Sequence, residues 1–188
     1  MPHHPLPARF LQKLRAHLRH GGVIAYATES CYGLGCDPRN YRAVRRLLRL
    51  KGRPAKKGFI LIGADFPQLE PYVAPLNAQE KNSLARYWPG PVTLLMPAAH
   101  RTPKWLTGQH ASIAVRVTAH PDAAYLCHQL GMALVSTSAN RAGAVALKTA
   151  AACRKIFGNA VLVLPGRVGE RRRPSTIMDF KSGRILRK

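Results

Sequence analysis

Residues 133–140 read Ala-Leu-Val-Ser-Thr-Ser-Ala-Asn, an apolar segment that runs directly into small hydroxyl and amide side chains. The apolar part, 133–135, predicts a short buried strand. In α/β folds, ligands bind at the carboxyl ends of strands, so Ser136, Ser138 and Asn140 are candidate ligand-binding residues. Serine and asparagine also cap helices well, so a helix N-cap cluster is a second interpretation, and the two can coexist.

Apolar runs and helical periodicities alternate irregularly on both sides of this stretch. The irregular order predicts an α/β fold in which helices flank a sheet of mixed strand direction. The length of 188 residues, with no repeat and no convincing linker, fits a single domain over 1–188. The predicted helices cover 8–20, 41–50, 77–87, 121–130 and 149–157, and the predicted strands cover 23–27, 59–62, 92–96, 113–117, 133–135, 161–164, 176–180 and 185–187.

The charge of the chain is strongly one-sided. Thirty lysines and arginines stand against 8 acidic residues, which gives a formal net charge of +22. Such an excess repels itself in a folded protein, and the usual reason for it is a polyanionic partner, since binding phosphates releases condensed counterions. The alternative is a generally basic proteome, because charge indicates partners and says nothing about fold.

Cysteine spacing and hydropathy exclude several classes of protein. Cys31, Cys36, Cys127 and Cys153 form no CxxC pair, and no HExxH pattern lies near them, so a zinc site or a disulfide framework is not predicted. Free thiols indicate a cytoplasmic protein. No apolar run approaches the ~18 residues of a membrane span, and the first residues lack the apolar core of a signal peptide.

Two loops carry polar groups that suit a nucleotide. Residues 28–37 follow a predicted strand and supply Thr28, a carboxylate, Tyr32 and two glycines, but they match neither standard phosphate loop, so an ordinary turn is the alternative. Residues 51–58 hold four cations in a stretch that proline and glycine keep from being helical. Clustered cations of this kind suit a triphosphate, whereas a solvated basic loop is the commoner outcome.

Two further positions lie in predicted strands. Arg116 interrupts the apolar run 113–117, where it either faces solvent or meets a carboxylate in a cleft. The segment Pro-Ser-Thr-Ile at 174–177 places two hydroxyls, those of Ser175 and Thr176, at a strand start. The 8 histidines are scattered, with no acid or serine at a spacing that suggests a catalytic triad.

These segments, taken in order, resemble the YrdC-like family, in particular its short bacterial threonylcarbamoyl-AMP synthases. The resemblance covers nearly the whole chain. Three positions depart from the family pattern: Ala27 replaces a proline, Cys31 replaces an apolar residue, and Arg-Ala-Gly stands at 141–143 where Leu-Ser-Gly is frequent. Because Ala142 stands in place of that serine, one possible hydroxyl contact is lost. The matching segments are Tyr-Ala-Thr-Glu at 26–29, Tyr-Gly-Leu-Gly-Cys-Asp at 32–37, Lys-x-Arg-Pro at 51–54, Lys-Gly at 57–58, Trp-Pro-Gly-Pro-Val-Thr at 88–93, Trp-Leu-Thr-Gly at 105–108, Ala-Val-Arg-Val at 114–117, Ser-Thr-Ser-Ala-Asn at 136–140 and Pro-Ser-Thr-Ile at 174–177.

The resemblance implies a twisted mixed sheet around a large, positively charged cavity. It also implies formation of L-threonylcarbamoyl-adenylate and pyrophosphate from L-threonine, bicarbonate or CO2, and ATP, for the N6-threonylcarbamoylation of adenosine 37 in tRNA. On this basis Lys51, Arg53 and Lys57 are expected to bind the ATP phosphates. Ser138, Asn140 and Arg187 are expected to position ATP, and the residues expected to bind threonine and the carbamate are Thr28, Tyr32, Arg116, Ser136 and Thr176.

The expected cofactors and partners follow from the same reasoning. With 8 carboxylates in all, a protein-built Mg²⁺ site is not expected, and Mg²⁺ is expected to arrive on ATP, with Glu29 nearby and no structural metal. Downstream threonylcarbamoyl-transferase proteins are expected to complete the modification. The surplus charge favours tRNA or another RNA on the surface, and no membrane.

Two other functions remain open from the sequence. The first is a basic RNA-binding or ribosome-assembly protein with a vestigial nucleotide pocket, which the net charge favours; an aromatic content of 7% argues against base stacking as its mode of recognition. The second is a paralogue that keeps the fold and uses another small substrate, against which the intact set Lys51, Arg53, Ser138 and Asn140 counts.

Overall fold

The computed structural model describes residues 6–188, which form one mixed sheet with helices packed on its two faces. The strands are β1 Ile24–Ala27, β2 Tyr32–Cys36, β3 Ile60–Gly63, β4 Val92–Pro97, β5 Ser112–Val117, β6 Leu134–Ser138, β7 Leu162–Val163, β8 Thr176–Asp179 and β9 Ile185–Arg187. The helices are α1 Ala8–Arg19, α2 Tyr41–Lys51, α3 Ala78–Ser83, α4 Lys104–Thr107, α5 Pro121–Leu130 and α6 Ala150–Phe157.

The strands follow the order β7-β1-β2-β6-β3-β5-β4-β8-β9 across the sheet. The pairs β1–β7, β3–β5 and β4–β8 are parallel and the remaining neighbours are antiparallel, which confirms the mixed strand direction predicted from the sequence. The predicted helix over 77–87 is shorter than expected. It ends at Ser83 and continues as a 3-10 turn, Leu84–Arg86.

Apolar side chains alternate between the two faces of the sheet and build a core on each. On β6, Leu134 packs with α1 and α5 residues such as Leu18 and Leu126, whereas Val135 belongs to the larger core that α2 covers through Leu47. This alternation is the period of two expected of a strand that is buried on both faces. Within residues 6–188, no helix has both the length and the apolar composition needed to cross a bilayer.

Strand β2 was not expected from the sequence, because the glycine-rich stretch 28–40 indicated a loop. It lies between β1 and β6, with Gly35 opposite Ser136 in the register. A Cβ on Gly35 would lie 2.7 Å from the Val135 carbonyl oxygen and 2.8 Å from the Tyr26 ring. Glycine is therefore required by close packing at this position, and not by turn geometry.

The last residue of helix α2, Lys51, lies next to the end of β6. The Asn40 side chain accepts a hydrogen bond from the Ala43 backbone N–H and caps the start of the helix, and Gly52, with φ of 61°, ends it in the left-handed region. Lys51 is thus the last residue of α2, and its backbone oxygen accepts a hydrogen bond from the Ala142 N–H at 2.8 Å. The end of the helix and the loop after β6 are held together.

We expect Gly35→Ala to lower the free energy of unfolding by about 1–3 kcal/mol, the usual cost of overpacking a core. The matched control is Gly33→Ala on the same strand, where the nearest atoms are side-chain atoms at 3.3 Å; its change should stay near 0.5 kcal/mol. Urea unfolding of both variants measures the difference. Equal stability of the two variants would contradict the packing described for Gly35.

Candidate functional site

A cavity of about 520 Å³ opens at the end of β6 and collects cationic side chains from distant parts of the chain. Among its lining residues in the described chain, Glu29 is the one carboxylate. The cations come from the loop after α2, from β5, from the loop before β8 and from β9. They are Arg53, Lys57, Arg116, Arg171 and Arg187.

Lys51 supports the wall of this cavity and is not among its lining residues. The side chain is buried, and its Nζ donates to the Ser138 carbonyl oxygen at 2.6 Å and to the carbonyl oxygen and Oδ1 of Asn140 at 3.0 and 2.9 Å. These three acceptors match the three N–H donors of an ammonium. Burial, reinforced by the positive charge of Arg53, lowers the pKa of Lys51 to about 8.

The turn that Lys51 holds presents its polar groups to the cavity. Ser138 Oγ donates to Asn140 Oδ1 at 2.6 Å, and Asn140 Nδ2 donates to the Ala144 carbonyl oxygen at 2.5 Å. The N-cap of α6 is Thr149, so the helix-cap interpretation of this cluster is wrong. Ser138 and Asn140 line the cavity instead.

In the loop after α2, the two residues predicted to bind phosphate differ in exposure: Arg53 is partly buried and Lys57 is exposed. Arg53 Nη2 donates to the Gly58 carbonyl oxygen at 2.9 Å, and the guanidinium lies 5.5 Å from the centre of the Phe59 ring. Its Nε is buried with no acceptor in the described chain. Lys57 lines the cavity but is exposed, so it lies at the rim.

Arg116 does not face solvent but pairs with a carboxylate in the cleft, as one of its two interpretations predicts. Its Nη1 donates to Glu29 Oε2 at 3.0 Å, and Thr118 Oγ1 donates to Glu29 Oε1 at 2.8 Å. Burial alone would raise the pKa of Glu29, but the charge of Arg116 and the hydrogen bonds outweigh it and hold that pKa below its usual range. Both oxygens of Glu29 are therefore engaged.

Two hydroxyls predicted on the threonine side also line the cavity. Ser136 Oγ accepts a hydrogen bond from the Tyr26 hydroxyl at 2.8 Å, and Thr28 Oγ1 donates to the Cys31 carbonyl oxygen at 2.7 Å. Cys31, one of the departures from the family pattern, lies in the same lining. Burial raises the pKa of its thiol, so the protonated form is favoured.

Tyr32 and Thr176 do not line the cavity. Tyr32 is fully buried in the core, where its hydroxyl donates to the Gly166 carbonyl oxygen at 2.8 Å, because an aromatic ring on a central strand packs most readily inside. Thr176 pairs with Val92 in the parallel ladder of β8 and β4. Its neighbours Ser175 and Ile177 face the cavity, as the alternation of a strand requires.

Arg187, at the C-terminal strand, donates to the Ser175 carbonyl oxygen through Nε at 3.2 Å and Nη2 at 2.8 Å. Burial, together with the charges of Arg116 and Arg53, lowers the pKa of Arg187. The Arg187 guanidinium therefore lies near two other guanidiniums of the cavity. Such a cluster of like charges stabilises an anion placed among them.

Arg171 is a lining residue that no motif in the sequence indicated. Its backbone N–H donates to the Glu29 carbonyl oxygen at 3.0 Å, which ties the loop before β8 to the loop after β1. Its Nε is buried without an acceptor in the described chain. The available signal was its nearness to the Pro-Ser-Thr-Ile segment. Polar lining residues that were not predicted include Ser30, His110 and Ser112.

Comparison with known families assigns this architecture. A family model named Sua5/YciO/YrdC and described as "Telomere recombination" matches residues 16–188. A Chromobacterium violaceum protein named threonylcarbamoyl-AMP synthase is 60% identical over 187 residues, covering 97% of each chain. A Thiobacillus denitrificans protein of the same name is 58% identical over 174 residues, covering 93% of each chain.

Solved structures share the fold. P. abyssi Sua5 complexed with L-threonine matches with a TM-score of 0.82 and 29% identity, covering 94% of this chain and 52% of that one. The present chain thus spans about half the length of that Sua5. E. coli YciO matches with a TM-score of 0.84 and 24% identity, covering 100% of this chain and 92% of that one.

We expect the Lys51 ammonium to titrate at a pKa of about 8 and Arg53→Gln to raise that pKa, because the substitution removes a neighbouring like charge. NMR of protein labelled at lysine Cε measures the titration, and a Lys51→Met variant identifies the resonance. Arg39→Gln, which removes a cation outside the cavity, is the control and should leave the pKa of Lys51 unchanged. A Lys51 resonance that titrates at the ordinary lysine pKa of about 10.4 would contradict its burial.

Proposed function

Because the chain belongs to the Sua5/YciO/YrdC family, we propose that it forms L-threonylcarbamoyl-adenylate and pyrophosphate from L-threonine, bicarbonate or CO2, and ATP. The product supplies the N6-threonylcarbamoyl group of adenosine 37 in tRNA. This proposal rests on five cations that line one cavity, beside the turn of Ser138 and Asn140 to which Lys51 donates hydrogen bonds. The relatives with the same named activity cover nearly the whole chain.

The proposed reaction needs no covalent bond between the protein and its substrates. The threonine amine adds to the carbon of CO2 and loses a proton, which gives a carbamate. A carbamate oxygen then bonds to the α-phosphorus of ATP while the bond to pyrophosphate breaks. Negative charge builds on the α-phosphoryl group and the leaving pyrophosphate, and fixed cations stabilise it without reorganising.

We place the ATP phosphates among Arg53, Lys57, Arg171 and Arg187. Guanidiniums hold phosphate oxygens in pairs, and the buried Nε atoms of Arg53 and Arg171 are donors without an acceptor in the described chain. Ser138 and Asn140 position the nucleotide through neutral hydrogen bonds. Lys51 takes a different part from the one expected of it, since its three donors are occupied by the turn that carries these two residues.

We place threonine at Arg116, Thr28 and Ser136. The ion pair with Glu29 fixes one edge of the Arg116 guanidinium. The Nε of Arg116 is a buried donor without an acceptor in the described chain. The carboxylate of threonine would therefore meet a guanidinium whose orientation is already fixed. Tyr32 and Thr176 lie outside the lining, so their parts in substrate binding are indirect: Tyr32 supports the 164–166 segment, and Thr176 sets the register of β8.

Mg²⁺ is proposed to enter as part of the ATP substrate. Glu29, the carboxylate of the cavity, already accepts from Arg116 and Thr118, so it does not fit a resident metal. Among the residues that the structure describes, no group of three histidine, cysteine or acidic side chains is placed to hold a metal ion.

We extend the proposal to domain, location and partners. The single domain is proposed to comprise 1–188, since the family match covers 16–188 and α1 contributes Leu14 and Leu18 to the core. Four free cysteines favour the cytoplasm. Downstream transferase proteins are proposed to carry the group to tRNA. A purely RNA-binding function is the competing proposal, favoured by the net charge of +22.

Pyrophosphate release should require L-threonine, bicarbonate and ATP together, and an enzyme-coupled pyrophosphate assay measures it. Arg53→Ala and Lys57→Ala should lower kcat/KM, Arg53→Ala by about 100-fold or more, as expected when a charged transition-state donor is lost. Lys56→Ala is the matched control, because Lys56 is the exposed neighbour outside the lining. Absence of pyrophosphate with all three substrates, beside an active relative, would support the RNA-binding function instead.

Arg116→Lys should raise the KM for threonine by about 10-fold or more and leave the KM for ATP within about twofold, because a lysine cannot reproduce the geometry of the guanidinium. Steady-state kinetics with each substrate varied separates the two effects. Arg39→Lys is the control, since Arg39 pairs with Asp37 outside the cavity. A threonine KM equal to that of the unmodified protein would remove Arg116 from the threonine site.

A further inference from the structure

A buried hydroxyl behind the cavity is bonded to the one carboxylate in its lining. Thr118 lies two residues after Arg116, just past the end of β5, and is 1% exposed. It is not a lining residue of the cavity, yet its Oγ1 donates to Glu29 Oε1 at 2.8 Å. Any effect of Thr118 on a bound substrate must therefore pass through Glu29.

The direction of this hydrogen bond follows from its surroundings. A threonine hydroxyl has one hydrogen to donate and two lone pairs to accept with. The His120 backbone N–H donates to Thr118 Oγ1 at 3.1 Å, which occupies a lone pair. Glu29 has a pKa below its usual range, so it is ionised and can only accept. The hydroxyl hydrogen of Thr118 therefore points at a charged oxygen, and such bonds are stronger than neutral ones.

The donor is held by its own neighbours and cannot follow Glu29. The Thr118 backbone N–H donates to the Gly63 carbonyl oxygen at 3.1 Å, on β3. The ring of His120 is fixed as well, because its Nδ1 accepts from the Ala123 N–H at 3.4 Å at the start of α5. The hydrogen of that ring is then on Nε2, which donates to the Arg167 carbonyl oxygen at 3.0 Å.

The carboxylate of Glu29 needs this second contact. A glutamate side chain has several rotatable bonds, and fixing them costs conformational entropy. Arg116 supplies one hydrogen bond, from Nη1 to Oε2 at 3.0 Å, which alone leaves the carboxylate free to rotate about that contact. The bond from Thr118 to the other oxygen removes this freedom. The two side chains of the ion pair are 9% and 15% exposed, so little water competes.

We propose that Thr118 is a positioning residue for L-threonine: its hydroxyl holds Glu29 in the orientation that presents the Arg116 guanidinium to the carboxylate of the substrate. The inference rests on the proposed function, because it takes L-threonine as the ligand of Arg116. Thr118 itself touches no substrate. A residue without a hydroxyl at this position would leave Glu29 held by Arg116 alone, and Arg116 would then be less well oriented.

Thr118→Val removes the hydroxyl and tests the proposal with two measurements. The pKa of Glu29 should rise, because a hydrogen bond that lowers it is lost. Carbon-13 NMR of the glutamate carboxyl carbons measures this without substrate, since the chain has four glutamates and Glu29→Gln identifies the resonance. L-Threonine binding, followed by calorimetry, should weaken by about 5-fold or more, as expected when a hydrogen bond to a charged group is lost.

Steady-state kinetics separates positioning from a general effect on the fold. In Thr118→Val the KM for L-threonine should rise by about 5-fold or more, while the KM for ATP stays within about twofold. The His120 N–H also loses its acceptor, which lowers stability but does not distinguish one substrate from the other. Thr118→Ala, a second variant without the hydroxyl, should reproduce these effects.

Two further variants serve as controls. Thr118→Ser keeps the hydroxyl and should restore the pKa of Glu29 and bring the affinity for L-threonine to within about twofold of the unmodified value. Thr102→Val removes the hydroxyl of another buried threonine, which is 8% exposed, donates to the Tyr72 carbonyl oxygen at 2.7 Å and lies outside the cavity lining. It should change neither quantity.

An unchanged Glu29 titration in Thr118→Val, or an unchanged affinity for L-threonine, would overturn the inference. So would an equal rise in the KM for ATP, an equal effect of Thr102→Val, or a failure of Thr118→Ser to restore binding. An unmodified chain that binds no L-threonine in calorimetry would contradict the proposed function itself and this inference with it. That result is distinguishable, because the Glu29 titration is measured on the free protein.

Discussion

The Lys51 ammonium, buried between the end of α2 and the end of β6, is the contact on which the rest of the site depends. It donates to three oxygens of Ser138 and Asn140, and so fixes the turn that faces the cavity. Its pKa of about 8 reflects burial next to Arg53. Loss of the ammonium would remove all three of these hydrogen bonds at once. A single cation thus connects the fold of the chain to its proposed chemistry.

Part of the positive charge of the molecule is concentrated in the cavity beside that contact. Inside the cavity, the charges of Arg116 and Arg53 lower the pKa of Arg187, and Glu29 pairs with Arg116 alone. Mutual repulsion of this kind costs stability in the free protein and favours a bound anion. The cations of the cavity suit a triphosphate and an amino acid.

Much of this was predictable from the sequence, and the exceptions have physical reasons. Long apolar periodicities, as in α2 and α5, and the ordered motifs predicted most of the elements and several of the polar lining residues, among them Arg53, Arg116 and Ser138. Strand β2 was missed because its glycines, needed for close packing against Tyr26 and Val135, resemble those of a loop. Arg171 was missed because only the tertiary contact with Glu29 brings it to the cavity. Tyr32 was misplaced because a motif gives the position of a residue but not the direction of its side chain.

A crystal structure of the chain with L-threonine and an ATP analogue, in which a methylene group replaces the α,β-bridging oxygen, tests the proposed site directly. We expect phosphate oxygens within hydrogen-bonding distance of Arg53 and Arg187, the threonine carboxylate on Arg116, and Lys51 still bonded to the Ser138–Asn140 turn. A nucleotide bound outside the cavity, or a triphosphate that displaces Lys51 from the turn, would contradict it.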